Sequence, residues 1–282
     1  MGFQISIIFS KSLSSGSLPA DWKLSKVIPV YKSGDINQVS NYRPISLTSS
    51  CCKILEHVLF KHIVSFLEDK QILSQHQRGF RKKLSTVTQH VELTHDLAAS
   101  MDRYSQTLLI FLDFSKAFHR VSHQKLLHKV KHFFKNDVIL SWLESYLACR
   151  RQYVHFASST SNTTDVTSGV PQGSVLGPLL FLLYVNDLSD FSKDGVSIKM
   201  FTDDTVIYTE VNCIGDQMKL NTCLRDIARL CEDWQVCLNI DKTAAMSVTR
   251  RKQKFDFAYS LNGVTIKRTD HCKYLGVHIQ SN

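Results

Sequence analysis

A chain of 282 residues with 43% hydrophobic and 21% charged side chains can bury a sizeable core, which excludes a disordered or low-complexity protein. Its 34 Lys and Arg against 25 Asp and Glu give a formal charge of +9, so a polyanionic partner, nucleic acid or an acidic membrane surface, is favoured. The eight cysteines form no Cys-x-x-Cys pair and no zinc-type spacing with His, and the longest apolar run, Leu179 to Val185, is too short to span a bilayer; a nuclear or cytoplasmic protein with reduced thiols is the expectation.

In chain order, Lys26-Val27-Ile28-Pro29-Val30-Tyr31 predicts a short edge strand, because Pro29 cannot donate to a ladder, and Lys32-Ser33-Gly34-Asp35 predicts its turn. Cys52, Leu55, Val58, Leu59, Ile63, Phe66 and Leu67 recur at helical steps and predict an amphipathic helix with one buried stripe. A second helix is expected over Thr86 to Met101, a continuous apolar strand over Leu108 to Phe114, and helices over Gln124 to Phe134 and Leu140 to Leu147. The Gly- and Pro-rich stretch Ser168 to Pro178 leads into an apolar helix, Leu179 to Leu188. Met200 to Tyr208 reads as strand, tight turn, strand, with Asp203 and Asp204 at the turn. Met218, Leu220, Leu224, Ile227, Cys231 and Trp234 mark another amphipathic helix, Asn262-Gly263 marks a hairpin, and Lys273 to Ile279 reads as a last strand. Helices mixed with antiparallel hairpins make this an α+β chain.

The acids carry the chemistry. Ionised Asp is costly to bury unless it is paired or holds a metal, and Asp203-Asp204 interrupts an apolar, β-branched run. Asp113 ends another such run. Three carboxylates could gather two Mg²⁺ or Mn²⁺ ions to activate a hydroxyl and stabilise a pyrophosphate leaving group; equally, the pair could form a solvated Asx-type turn and Asp113 a helix cap. Phe118, five residues after Asp113, could wall a sugar pocket or fill the core. The Gly169 to Gly177 stretch permits close approach of a base or phosphate to backbone.

Ordered blocks supply a resemblance. Leu112-Asp113-Phe114-Ser115-Lys116-Ala117-Phe118, then Gly169-Val170-Pro171-Gln172-Gly173-Ser174, then Phe201-Thr202-Asp203-Asp204-Thr205 resemble a non-LTR (LINE-type, Jockey-like) retrotransposon reverse transcriptase. Asn41-Tyr42-Arg43-Pro44, Gly79-Phe80-Arg81-Lys82, Leu238-Asn239-Ile240-Asp241-Lys242-Thr243 and Tyr274-Leu275-Gly276-Val277 match in the same order. The resemblance implies a right-hand polymerase fold with an antiparallel palm sheet, fingers over 1–106 and palm over 107–282, within one reverse transcriptase domain of about 20–282. It implies Asp113 and Asp203 as metal ligands with Asp204 as the third acid, and Lys242 as a proton donor to pyrophosphate. Nucleotide contacts fall to Lys32, Arg43, Arg81, Phe114, Phe118, Gln172 and Gly173, with Phe118 excluding a 2′-hydroxyl. Tyr274, Leu275 and Gly276 resemble the primer grip. RNA template, DNA primer and dNTP are the implied partners, two Mg²⁺ or Mn²⁺ ions the cofactors, and no membrane.

Departures from the family pattern are His119, where Asp is usual, Thr202, where Ala is usual, and Arg78, where His is common. The sequence shows no endonuclease before the fingers and little or no thumb after the primer grip, so a truncated copy is expected. The rival to an active polymerase is a nucleic-acid-binding remnant that folds without polymerising.

Overall fold

Capping side chains set where the helices begin. Ser49 accepts from the Cys52 N–H, Ser85 forms a capping box with Thr88, Ser122 accepts from the Lys125 N–H, and Asn136 accepts from Val138 and Ile139. The computed structural model describes residues 2–281. Along the chain they form α1 (Gly2–Ser14), β1 (Leu24–Tyr31), β2 (Tyr42–Leu47), α2 (Ser50–Asp69), α3 (Thr86–Asp102), β3 (Gln106–Leu112), α4 (His123–Phe133) and α5 (Asp137–Leu147). Next come β4 (Arg150–Phe156), β5 (Ser159–Thr160), β6 (Thr164–Val166), α6 (Leu176–Tyr184), β7 (Ser197–Phe201), β8 (Asp204–Glu210) and α7 (Ile214–Asp233). The rest is β9 (Ala244–Thr249), β10 (Ser260–Leu261), β11 (Val264–Thr265), β12 (Lys267–Arg268), β13 (His271–Tyr274) and β14 (Val277–Gln280). None of the described helices is long and apolar enough to cross a membrane.

Two compact units emerge: residues up to Leu73 together with Phe118–Tyr184, and Ser74–Ala117 together with Val185 onward. They interleave along the chain, where a division at 106/107 makes a single cut.

In the first unit the strand order is β2-β1-β4-β5, with β6 also on β4. The expected edge strand is therefore flanked on both sides only at Lys26 and Val27: Leu24 to Val27 pair in parallel with β4, while Lys26 to Tyr31 pair antiparallel with β2. Pro29, opposite Pro44, lies beyond the β4 pairing and so interrupts no ladder there. On α2 the stripe is buried as expected at Cys52, Leu55, Leu59, Ile63 and Leu67, but Phe66 is only half-buried and Val58, which lies off the stripe on the wheel, is exposed, while Glu56 lies within it and is buried. Helix α6 is apolar all round and almost wholly buried; it ends at Tyr184, short of Leu188, and a 3-10 turn takes over at Asn186–Phe191 in the second unit.

The second unit is built on the sheet β12-β9-β3-β8-β7. Its middle strand β3 is buried at every position, which is why it reads as a continuous apolar run. Leu93 and Leu97 of α3 pack with Leu109, Phe111, Val206, Tyr208, Met246, Val248 and Tyr274 into one core. The Asn262-Gly263 hairpin forms, with both residues in the left-handed region that a type I′ turn requires. The last segment is a hairpin, β13–β14, and not a single strand: Leu275 (φ 46) and Gly276 (φ 87) make a tight turn there, Leu275 against its own preference.

Candidate active site

The register of the second sheet gathers the acids. β3 pairs with β8 as far as Leu112 opposite Thr205, so Asp113 follows at the strand end, one step beyond the last pair and level with Asp204. The β7–β8 hairpin closes at Phe201 opposite Asp204, leaving Thr202 and Asp203 as its two-residue loop. All three carboxylates thus sit at one end of the two strands.

Asp113 is fixed by the Leu238–Thr243 block. The Asn239 N–H donates to the Asp113 carbonyl at 2.8 Å, the Asp113 N–H donates to the Thr243 hydroxyl at 3.5 Å, and the Ser115 N–H donates to the Cys237 carbonyl at 2.8 Å. Phe114 bridges Leu238 and is buried, so its ring belongs to the core side of this strand end. No α-helix begins at Ser115; a 3-10 turn at Ala117–His119 follows instead, which leaves Asp113 no α-helix to cap. Lys242 is exposed on the tight turn of the same block, its N–H donating to Asn239 at 3.3 Å.

Thr202, buried with φ 63, has the sign of a type II′ first position and is β-branched there. The side chain of Gln77 holds both its backbone groups: Oε1 accepts from the Thr202 N–H at 2.8 Å and Nε2 donates to the Thr202 carbonyl at 3.3 Å. Sequence reading passed over Gln77, because a lone amide in a loop shows no period. Arg81 serves the same loop, its Nη1 donating to the Ser74 and Gln77 carbonyls at 2.6 and 3.2 Å.

The Tyr274-Leu275-Gly276 turn docks on α3. Tyr274 is buried, its hydroxyl accepting from Gln89 Nε2 at 3.0 Å, its ring against Phe111 and His90. Burial pushes the Tyr274 phenol and the Cys272 thiol above their ordinary values, and the Asp204 carboxylate adds to both, so the field of Asp204 reaches β13. Leu275 and Gly276 form the tip, with His90 Nε2 3.5 Å from the Leu275 carbonyl.

In the first unit the Gly-rich loop is zipped to the turn that carries Phe118 and His119. The Val170 N–H donates to the Phe118 carbonyl at 2.8 Å, the Gly169 N–H to the Val121 carbonyl at 2.8 Å, and the Ser168 hydroxyl to the His119 carbonyl at 3.0 Å. Phe118 stacks on Phe181 with centroids 4.6 Å apart. The Gln172 carbonyl accepts from the Ser46 N–H at 2.7 Å, and Gly173, at φ 121, comes so near β2 that a Cβ there would lie 2.6 Å from the Ser46 carbonyl oxygen. Arg43 is exposed on β2 opposite Val30, and Lys32 is exposed just beyond β1. Ser46, His119, Arg150, Gln152, Gly169 and Gln172 help to line a cavity of about 320 Å³. Glu56, the other residue that sequence reading missed, accepts from the Val175 and Leu176 N–H groups at 2.8 and 3.0 Å and so anchors the far end of the loop; its signal was an acid on a buried stripe, four residues after Cys52.

Among the described residues no three His, Cys, Asp or Glu side chains already converge to hold a metal ion. The donor set at the strand ends nevertheless fits a hard divalent cation: Asp113, Asp203 and Asp204 offer only carboxylate oxygens.

Residues 30–279 match the family model described as reverse transcriptase (RNA-dependent DNA polymerase). The chain is 31% identical to the probable RNA-directed DNA polymerase from transposon BS of Drosophila melanogaster, over 97% of this chain and 31% of that protein. It is 30% identical to the RNA-directed DNA polymerase from mobile element jockey of the same organism, over 97% of this chain and 30% of that one. It thus spans about a third of the length of these curated relatives. Among solved structures, apo telomerase from Candida tropicalis truncated from its C-terminal domain superposes with a TM-score of 0.61 at 12% identity, covering 98% of this chain and 59% of that one. Telomerase from Candida albicans, in complex with a TWJ fragment of telomeric RNA, gives 0.55 at 13% identity, covering 92% and 48%. These likenesses show the right-hand polymerase fold, and with the matched family and relatives they make this chain a member of the reverse transcriptase family, of the non-LTR retrotransposon, Jockey-like kind.

Proposed function

We propose that this chain is an RNA-directed DNA polymerase domain that adds dNTPs to a primer 3′-hydroxyl on an RNA template, releasing pyrophosphate. The observation that carries the reading is the register that brings Asp113 and the Asp203-Asp204 turn to one end of β3 and β8. Asp113 and Asp203, with Asp204, would hold two Mg²⁺ ions, which supply positive charge for the attacking oxygen and the leaving phosphate. Lys32, exposed just beyond β1, and Arg43, exposed on the neighbouring β2, supply cations for the triphosphate. Arg81, committed through Nη1 to two backbone carbonyls, is assigned to shaping its loop. Phe118, held by its stack on Phe181 and by the Val170 bond, is rigid enough to exclude a 2′-hydroxyl by bulk. Gln172 and Gly173 offer backbone to the nucleotide and template, and Phe114, buried beside Leu238, is the remaining nucleotide-contact assignment. Lys242, on the turn wired to Asp113, protonates the departing pyrophosphate. Leu275 and Gly276 present the primer-grip turn, which Tyr274 anchors. Fingers over 1–106 and palm over 107–282 are the corresponding functional division.

Primer extension on poly-rA·oligo-dT with dTTP and Mg²⁺ tests this. Extension by the chain and its loss in Asp203→Ala are expected; a folded chain that binds the RNA yet extends nothing overturns the reading. His119→Asp, run in parallel, measures what that departure costs.

A further inference from the structure

The turn that carries Asp203 is gripped from outside the sheet. The lane from His76 to Gly79 lies along β7: the Met200 N–H donates to the His76 carbonyl at 2.8 Å, the Arg78 N–H donates to the Met200 carbonyl at 2.9 Å, and Gln77 bridges Met200 in parallel. At the end of this lane a side chain replaces backbone. Gln77 is 1% exposed, and its Oε1 accepts from both the Thr202 and Gly79 N–H groups, at 2.8 and 2.9 Å, while Nε2 donates to the Thr202 carbonyl. Gly79 permits the approach, since a Cβ there would lie 2.4 Å from Thr202 Oγ1 and 2.6 Å from its nitrogen. The lane is in turn pinned by Arg81 to Ser74 and Gln77, and by Arg78 to Glu92, which also binds Lys199 of β7 at 3.0 Å.

Thr202 has a conformation that β-branched residues rarely adopt, and such a conformation persists only where its surroundings over-determine it. Here the over-determining group is one amide. Its hydrogen bonds fix both peptide groups next to Thr202, and the peptide after Thr202 is the one that leads into Asp203. Rotation at this residue would re-aim both acids.

We propose that Gln77 is a positioning residue for the catalytic turn: it touches neither substrate nor metal, yet it sets the direction in which Asp203 and Asp204 present their carboxylates. This rests on the polymerase reading for its kinetic consequence but not for its geometric one, and two measurements separate them. In Gln77→Met, which removes all three hydrogen bonds at similar volume, kcat for primer extension should fall by roughly 10²-fold with KM for dTTP within about threefold of the parent. Mn²⁺ affinity, read by the loss of the free-ion electron paramagnetic resonance signal on the chain without nucleic acid, should weaken by about tenfold. Gln77→Glu keeps the accepting oxygen for the two N–H groups and loses only the bond to the Thr202 carbonyl, so about a tenfold fall in kcat is expected, and it carries the test if Gln77→Met does not fold. Parental kcat in the folded variants, or a change confined to KM, overturns the proposal. If the parent extends no primer, the polymerase reading fails and Mn²⁺ alone decides: weakened binding supports the role of Gln77, and unchanged binding overturns it.

Discussion

Truncating Glu56 to Ala should cost about 4 kcal/mol of stability, because this carboxylate is a buried acceptor shared by several donors. Its Oε2 accepts from the Val175 N–H at 2.8 Å, the Leu176 N–H at 3.0 Å and the Tyr146 hydroxyl at 3.2 Å, and Oε1 accepts from the Cys52 thiol at 3.4 Å. Leaving two amides and a phenol without an acceptor costs roughly 1–3 kcal/mol each, part of which water entering the vacated space returns. Arg150, 2% exposed and bonded to the Tyr146 carbonyl and Ser25, acts on the Tyr146 phenol with the sign opposite to Glu56, so the substitution also removes a charge that opposes a buried cation. At about 2–4 °C per kcal/mol for a chain of this size the melting temperature should drop by about 8–16 °C, and the urea midpoint should fall with the slope unchanged. Glu56→Gln keeps one oxygen for the amides and should lose about half as much. A second readout is chemical: burial, then the Glu56 charge and hydrogen bond, hold the Cys52 thiol far above its ordinary value, so Glu56→Ala should raise its alkylation rate relative to exposed Cys51. A shift below about 3 °C, with Cys52 as inert as before, would refute the reasoning.

Gly173→Ala should lower the melting temperature and cut primer extension by at least about tenfold, since both φ 121 and the 2.6 Å approach to the Ser46 carbonyl exclude a methyl; a parental melting temperature together with a parental rate counts against a close backbone contact there. Tyr274→Phe strands the Gln89 amide donor, beside an Oε1 that already has no protein partner, and should lower stability by about 1–2 kcal/mol in urea titration. For Glu92, burial raises the pKa but the hydrogen bond and charge of Lys199, then Arg78, outweigh it and leave it below 4.5. A carboxylate depressed in the fold contributes stability above its unfolded value and loses it as pH falls through the folded one, so acid unfolding below pH 4.5 should be less steep in Lys199→Met; identical acid titrations would discount this pair.

Much of the fold was legible because the signals were local. Helices α2, α3 and α7 announce themselves by period, β3 by its continuous apolar run, and the β10–β11 hairpin by Asn262-Gly263. What escaped depends on partners far along the chain. Ala244–Thr249 carries alanines that favour no strand, yet it forms β9 because β3 offers it a register from Gln106 to Phe111. Leu275 gives no warning that it will take a left-handed turn position; the Gln89–Tyr274 bond and the core around Tyr274 hold the hairpin in place from 185 residues away.

The same distinction applies within the candidate site. Asp113, Asp203 and Asp204 could be picked out because a carboxylate at the end of an apolar strand contradicts its neighbours, and contradiction is visible locally. The groups that aim them do not contradict anything. Gln77, Asn239 and Thr243 are ordinary polar residues in loops, and each acquires its role only when the chain returns: Gln77 meets Thr202 125 residues on, and Thr243 meets Asp113 130 residues back. Backbone held by such distant hydrogen bonds is over-determined in the folded state alone, so a substitution there should leave secondary structure intact and still misdirect an acid. That is why the aim of the carboxylates, and not their presence, is the property that only the folded chain displays.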